Sequence, residues 1–162
     1  MIDFGVVWAV LVKPATLAVL ALTVALAWPL GRRRGLLGVL FVLALGVILA
    51  ATTTNWLFHP GLAELPTYLR EFADPAYLFG GFGGNLERLA NIGLFLPLGL
   101  LATLLWRRRP LLVIGSCAGL SFLLEVWQAV IGRGGDAVDV VHNTAGAALG
   151  AGLAYLASQG TV

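Results

Sequence analysis

Residues 111–131 read LLVIGSCAGLSFLLEVWQAVI. About 20 mainly apolar residues cross a hydrocarbon core roughly 30 Å thick, and this stretch meets that length with one charged side chain, Glu125. Pro110 stands immediately before it and the triplet Arg107 to Arg109 before that. Proline at a first helical turn loses only an N–H that would be unpaired there anyway, so the sequence predicts a membrane-crossing helix with a basic end and a carboxylate deep inside.

The same reading extends outward in both directions. Spans are expected at about Pro14 to Leu30, Gly35 to Ala51, Leu86 to Trp106, Leu111 to Ile131 and Val140 to Ala157. Pro14 reads as a helix start, and Pro97 inside the third span as a kink. Composition agrees. Hydrophobic residues make up 59% of the chain and charged residues 11%, with a mean hydropathy of +0.93. A soluble domain carries about 25% charged residues, so an ordinary soluble enzyme is excluded. A disordered tail, which needs low hydrophobicity and high net charge, is excluded too.

The net charge of +2 does not indicate a nucleic-acid partner, because the basic residues are not a patch. Nine of the ten are Arg, and six of these form the triplets Arg32 to Arg34 and Arg107 to Arg109 between apolar runs. Such triplets mark short cytoplasmic loops. Placing both in the cytoplasm gives an all-α, polytopic membrane helix bundle of about five transmembrane helices. Its N-terminus is then outside and its C-terminus inside, with residues 1–162 as a single domain. The extracytoplasmic loop is 52–85 and the motif-bearing part is 86–157. Residues Met1 to Val12, with Asp3 and Trp8, are expected along the outer interface. The loop carries turn signals at His59-Pro60, Asp74-Pro75 and Gly80 to Gly84. Its aromatics, among them Trp56, Phe58, Tyr68, Phe72, Tyr77 and Phe82, suit the headgroup zone. A short amphipathic helix is expected from Gly61 to Phe72, lying on the membrane surface as a lid or connector. Cys117 is the only cysteine, so no intrachain disulfide forms.

All eight acidic residues fall on the outer half in this topology. Counting at 1.5 Å per residue, Glu125 and Asn91 stand roughly 22–24 Å above the inner boundary, Asn143 roughly 21 Å and Lys13 near 28 Å. Polar groups from separate spans thus share one layer. Ser121, Glu125 and Gln128 lie four and three apart on one helical face, as do Asp139, Asn143, Gly146 and Gly150. Gly146-xxx-Gly150 and Gly115-xxx-Gly119 permit close backbone approach, so the fourth and fifth spans are expected to pack with their polar stripes facing. The turn Gly132 to Asp136 hangs Arg133 and Asp136 over the layer.

A carboxylate at a helix centre costs about 2.5 to 3.5 kcal/mol to insert. A polar contact between membrane helices typically returns only about 0.6 kcal/mol. That imbalance favours a functional Glu125 over helix glue. Asn91, Gln128 and Asn143 are equally explained as interface amides, and Asp139 is well placed as an N-cap. No second His or Cys accompanies His59 or His142 at ligand spacing, so zinc is not expected. No resident cofactor is expected. A divalent cation held by Asp136 and Asp139 is the one metal the residue types allow.

These positions form a pattern. Asn91-Ile92-x-x-Phe95-x-Pro97-Leu98-Gly99 is followed by Ser121-x-x-x-Glu125-x-x-Gln128. Then comes Arg133-x-x-Asp136-x-x-Asp139-x-x-x-Asn143-x-x-Gly146-x-x-x-Gly150. Over the third to fifth spans it resembles the VanZ-like family. That resemblance implies a multi-pass protein of the bacterial cytoplasmic (inner) membrane, in a family whose name-giving member confers low-level resistance to teicoplanin, a lipid-bearing glycopeptide.

Two classes of function stay open. One is a binding or envelope-modulating protein holding a membrane lipid or lipid-linked envelope precursor. Its ligand-binding set would be Asn91, Glu125, Gln128, Arg133, Asp136, Asp139 and Asn143, with Arg133 at an anionic headgroup. The other is an intramembrane hydrolase or transferase on an envelope lipid, with Glu125 as catalytic acid/base. No clear nucleophile is present, which favours binding.

Overall fold

The computed structural model describes residues 13–53, 62, 64–80, 82, 84–106 and 109–159. The expected interfacial segment 1–12, the aromatics Trp56 and Phe58, the His59-Pro60 turn, Gly81 and Gly83, and Arg107 and Arg108 lie outside the described residues. Among the described residues the regular elements are helices, with no strand. The chain forms two compact units, Met1–Leu57 and Phe58–Val162.

The N-terminal unit is built on α1 (Pro14–Thr53), a helical stretch of 40 residues broken at Gly35, where φ is 64° and ψ is −156°. A side chain is strained at positive φ and glycine is not, so the break falls where the expected first and second spans meet. The two arms fold back on each other. A Cβ built on Gly46 would overlap the Thr23 side chain, and one on Gly31 would lie 2.6 Å from Val39. These pairings sit nearly symmetrically about Gly35, as in an antiparallel helical hairpin. Thr23 Oγ1 donates to the Val19 carbonyl at 2.7 Å, and Thr52 Oγ1 to the Ile48 carbonyl at 2.8 Å. Both hydroxyls are thereby satisfied within their own helix.

The second unit contains α2 (Leu65–Glu71), α3 (Pro75–Phe79), α4 (Leu86–Leu105), α5 (Pro110–Val130) and α6 (Ala137–Gln159). Each start has a local cause. Pro110 opens α5 and Pro75 opens α3, while Asp74 accepts from the Ala76 and Tyr77 amides. Asn85 caps α4 through a 2.8 Å bond from the Arg88 amide. The helix α4 runs through Pro97. Three stretches are long and apolar enough to cross a membrane: Pro14–Thr52, Leu86–Leu105 and Pro110–Val130. The fifth expected span is a 23-residue helix, α6.

Helix α6 is the centre of this unit, packed most extensively on α4 and then on α5, while α4 and α5 touch each other far less. The sequence expectation about glycines is corrected here. A Cβ on Gly146 would overlap the Ile92 carbonyl, and one on Gly150 the Leu96 carbonyl. The Gly146-xxx-Gly150 groove therefore receives the backbone of α4 and not that of α5. Gly115 and Gly119 meet nothing within 4 Å. Small residues permit close approach but do not specify the neighbour, which is why spacing alone named the wrong partner.

The outer segment is also more than a surface connector. The amphipathic helix is α2, starting at Leu65 with Pro66 in its first turn. It buries Tyr68 to 1% exposure in a cluster with Ala129 of α5 and Ala137 of α6, against Leu65, Leu78, Phe122 and Val126. The Tyr68 ring stands edge-on to Phe72, with centroids 5.4 Å apart, and 6.0 Å from Phe122.

Candidate functional site

At the end of α5 next to α2, Ser121, Glu125 and Gln128 form one buried stripe. Glu125 is 3% exposed. Its Oε1 accepts from Gln128 Nε2 at 3.1 Å and its Oε2 from the Asp136 backbone N–H at 3.1 Å. The second bond requires the chain after α5 to turn sharply back. Gly132 and Gly134 make that turn at φ of 75° and 76°. Gly135 then passes so close that a Cβ there would overlap the Glu125 carbonyl oxygen. A hydrogen bond contributes about 0.5 to 1.5 kcal/mol, so the Glu125 carboxyl also ties the turn to its helix.

The polar stripes of α5 and α6 meet as expected, one turn below Glu125. Asn143, 4% exposed, donates from Nδ2 to Ser121 Oγ at 2.9 Å. Its Oδ1 has no hydrogen-bond partner, whereas the Asn91 amide on α4 is directed at the Asp139 carboxyl. One role moves along the sequence. Asp136 caps α6, accepting from the Val138 N–H at 2.8 Å, whereas Asp139 was expected to do so. The helix begins three residues earlier than the apolar run signals, because Ala137 and Val138 are buried in its first turn. Asp139 instead sits inside that turn. Burial and then the charges of Asp136 and Glu87 push its carboxyl up to about 6, against opposing contributions from the Asn91 amide and His142.

Arg133 is exposed on the turn, with its backbone N–H donating to the Gln128 carbonyl at 2.9 Å. Its charge acts on Glu125 together with those of Asp136 and Asp139. The sequence-predicted residues of α5, α6 and their turn therefore gather at one end of the unit, with Asn91 reaching them from α4. Lys13 belongs to the N-terminal unit.

Three contributors were missed from sequence. Glu71 Oε2 accepts from the Ala137 N–H at 3.0 Å, a second cap on α6 supplied from α2. Tyr77 donates to Asp136 Oδ1 at 3.3 Å; burial, then Asp136 and Glu71, push its hydroxyl up to about 12. The Tyr68 hydroxyl is buried without a hydrogen-bond partner. Burial raises its pKa first, and the charges of Glu125, Glu71 and Asp136 add to the rise. The stripe Leu65, Tyr68, Phe72 at intervals of three and four was the available signal for a helix with a buried face. Nearby, His142 is fully buried, with Nδ1 bonded to the Val138 carbonyl at 2.8 Å. Its ring stacks on Phe82 with centroids 4.5 Å apart at 19°. Among the described residues no group of three or more His, Cys, Asp and Glu side chains is arranged to hold a metal ion.

Fold and site together define a helical membrane protein that keeps hydrogen-bonded acids and amides inside one end of its second unit. The chain belongs to the VanZ/LLP1 family: the family model of that description matches residues 38–158. The match begins within α1 and so reaches beyond the third to fifth spans that carry the sequence motifs. No curated protein and no solved structure matches the chain.

Proposed function

We propose that this VanZ/LLP1 protein sits in the bacterial cytoplasmic membrane with five spans, its N-terminus outside and its C-terminus inside. In this reading it binds an amphiphilic or lipid-linked envelope ligand at its outer end. Glu125, Gln128, Asp136, Asp139, Asn143 and Asn91 meet the polar part of the ligand, with Arg133 at the rim for an anionic group. The observation that carries the reading is the Glu125 carboxylate, 3% exposed yet anchored by Gln128 and by the returning backbone of Asp136. Such a group costs more to insert than one polar contact returns, and its surroundings add unpartnered polar atoms of Asn143 and Tyr68. A role in lipoglycopeptide resistance would follow from sequestering or shielding such a ligand.

The second reading is an intramembrane hydrolase or transferase with Glu125 as acid/base, on its own or beside a divalent cation at Asp136 and Asp139. The buried carboxylate next to a phenol favours it, and the lack of a clear nucleophile weighs against it. Detergent-purified protein incubated with a radiolabelled polyprenyl phosphate and a radiolabelled phospholipid, with and without Mg²⁺, separates the two. Stoichiometric binding without turnover supports the first reading. Turnover that disappears in Glu125→Gln replaces it with the second. Lack of binding by either amphiphile removes both.

A further inference from the structure

The outer end of the second unit is acidic. Between residues 64 and 139, leaving aside the triplet Arg107 to Arg109, stand Glu64, Glu71, Asp74, Glu87, Glu125, Asp136 and Asp139, seven carboxylates against Arg70, Arg88 and Arg133. Four of the seven come from three helices and the turn between two of them. Glu125 lies on α5, Glu71 on α2, Asp136 on the turn and Asp139 on α6. The hydrogen bonds described for them come from neutral donors: the Gln128 amide, the Asp136, Ala137 and Val138 N–H groups, and the Tyr77 phenol.

Two further groups point to a ligand independently of charge. Tyr68 is 1% exposed and Asn143 4%, and in each a polar oxygen, the Tyr68 hydroxyl and Asn143 Oδ1, has no hydrogen-bond partner. Buried polar atoms are nearly always partnered. The Tyr68 hydroxyl lies among Glu125, Glu71 and Asp136, whose charges all act on it. Asn143 is tied to Ser121, one turn below Glu125. The two open oxygens are both able to accept, and the neighbouring carboxylates accept only, when ionised.

We propose that this end of the protein recognises the primary ammonium group of a zwitterionic amphiphile. The ammonium is seated among Glu125, Asp136, the Tyr68 hydroxyl and Asn143 Oδ1, while the phosphate of the same headgroup faces Arg133. An ammonium carries three donors and no acceptor, which matches acceptors supplied by separate helices at this end. A purely anionic headgroup would meet four carboxylates for one guanidinium. The inference rests on the proposed function and names the headgroup that the site takes.

The test uses the full chain purified in detergent, with ligand occupancy read by native mass spectrometry. The probes are lysophosphatidylethanolamine, with ammonium and phosphate, lysophosphatidylglycerol, with phosphate only, and free ethanolamine. The ethanolamine lipid is expected to bind at least about tenfold tighter than the glycerol lipid. Glu125→Gln and Tyr68→Phe are each expected to reduce that preference to about threefold or less; Tyr68→Phe retains the ring packing, so it reports on the hydroxyl even if Glu125→Gln folds poorly. Free ethanolamine binding as tightly as the lipid would support the ammonium site and assign it to a soluble amine. Equal or tighter binding of the glycerol lipid, or a preference untouched by both variants, overturns the inference and leaves the proposed function standing. If neither lipid binds, both fall.

Discussion

The two units of this chain solve the same packing problem with different chemistry. In the N-terminal hairpin, close approach comes from glycine against a side chain, as at Gly46 and Thr23, and the hydroxyls of Thr23 and Thr52 are satisfied within their own helix. Its surface groove, about 560 Å³ at the turn, is lined by Val24, Ala27, Trp28 and Val39 with Arg32 as its one charged residue. In the second unit, glycine meets backbone, and the interior holds Glu125, Gln128, His142 and Asn143. Apolar helices that only need to associate get by with small residues and local hydrogen bonds. A unit that keeps ionisable groups inside needs a turn, a cap and a docked outer helix to hold them.

The sharpest way to break that contrast is to add one methyl group in each unit. Gly146→Ala places its Cβ on the Ile92 carbonyl, which cannot move without its helix. A loss of about 3 kcal/mol is expected from overpacking, measured by denaturant titration in detergent micelles. Gly46→Ala meets the branched Thr23 side chain, its Cβ included, and the gain in helix propensity of about 1 kcal/mol offsets part of the clash, so a loss of about 1 to 2 kcal/mol is expected. Gly119→Ala, with nothing within 4 Å, is the control and is expected to be neutral or stabilising. Equal losses at positions 146 and 46 would erase the distinction.

Next in size is Glu125→Gln. One of the two donors that Glu125 satisfies, Gln128 Nε2 or the Asp136 N–H, then faces an amide NH₂ and loses its partner. A buried donor left unpaired costs about 1 to 3 kcal/mol, and hydrogen exchange should rise at the turn 132–136. Glu71→Ala removes the second cap on α6, with an expected loss of about 1 kcal/mol and faster proteolysis of the segment containing α2.

The pH dependence separates the units further. Asp139 titrates at about 6 in the folded protein against an ordinary 3.8, so the folded state holds this proton more tightly than the unfolded one. Its contribution to stability is complete below 3.8 and is lost as pH rises through about 6. Midpoints of thermal unfolding should fall over that window, and Asp139→Asn should flatten the slope. The smallest effect is Tyr77→Phe. It deletes an exposed 3.3 Å bond to Asp136 and is expected to cost no more than about 0.5 kcal/mol.

What could be read in advance follows from which signals are local. Pro14, Pro110 and the break at Gly35 are written in one or two residues each, and the helices begin or break there. The stripe Ser121, Glu125, Gln128 follows from helical spacing, and all three are buried. The partner of Gly146-xxx-Gly150 could not be read, because spacing describes a groove and says nothing of what fills it. The sequence places Tyr68 and Glu71 in a short helix on the membrane surface, because aromatics and charges in a connector suit that interface as well as a docked face. Contacts far apart in sequence, such as Glu71 with Ala137 across 66 positions, reveal the docking.

That pairing also orders events during synthesis. Chains are made from the N-terminus, so Glu71 leaves the ribosome well before Ala137. The seat of Tyr68 includes Ala129 and Ala137, so α2 has nowhere complete to dock until α6 has formed. Helix α2 thus closes last, as a latch on a finished bundle, and a nascent chain halted before Ala137 would display Tyr68 and Phe72 to any protease that inspects unfinished membrane proteins.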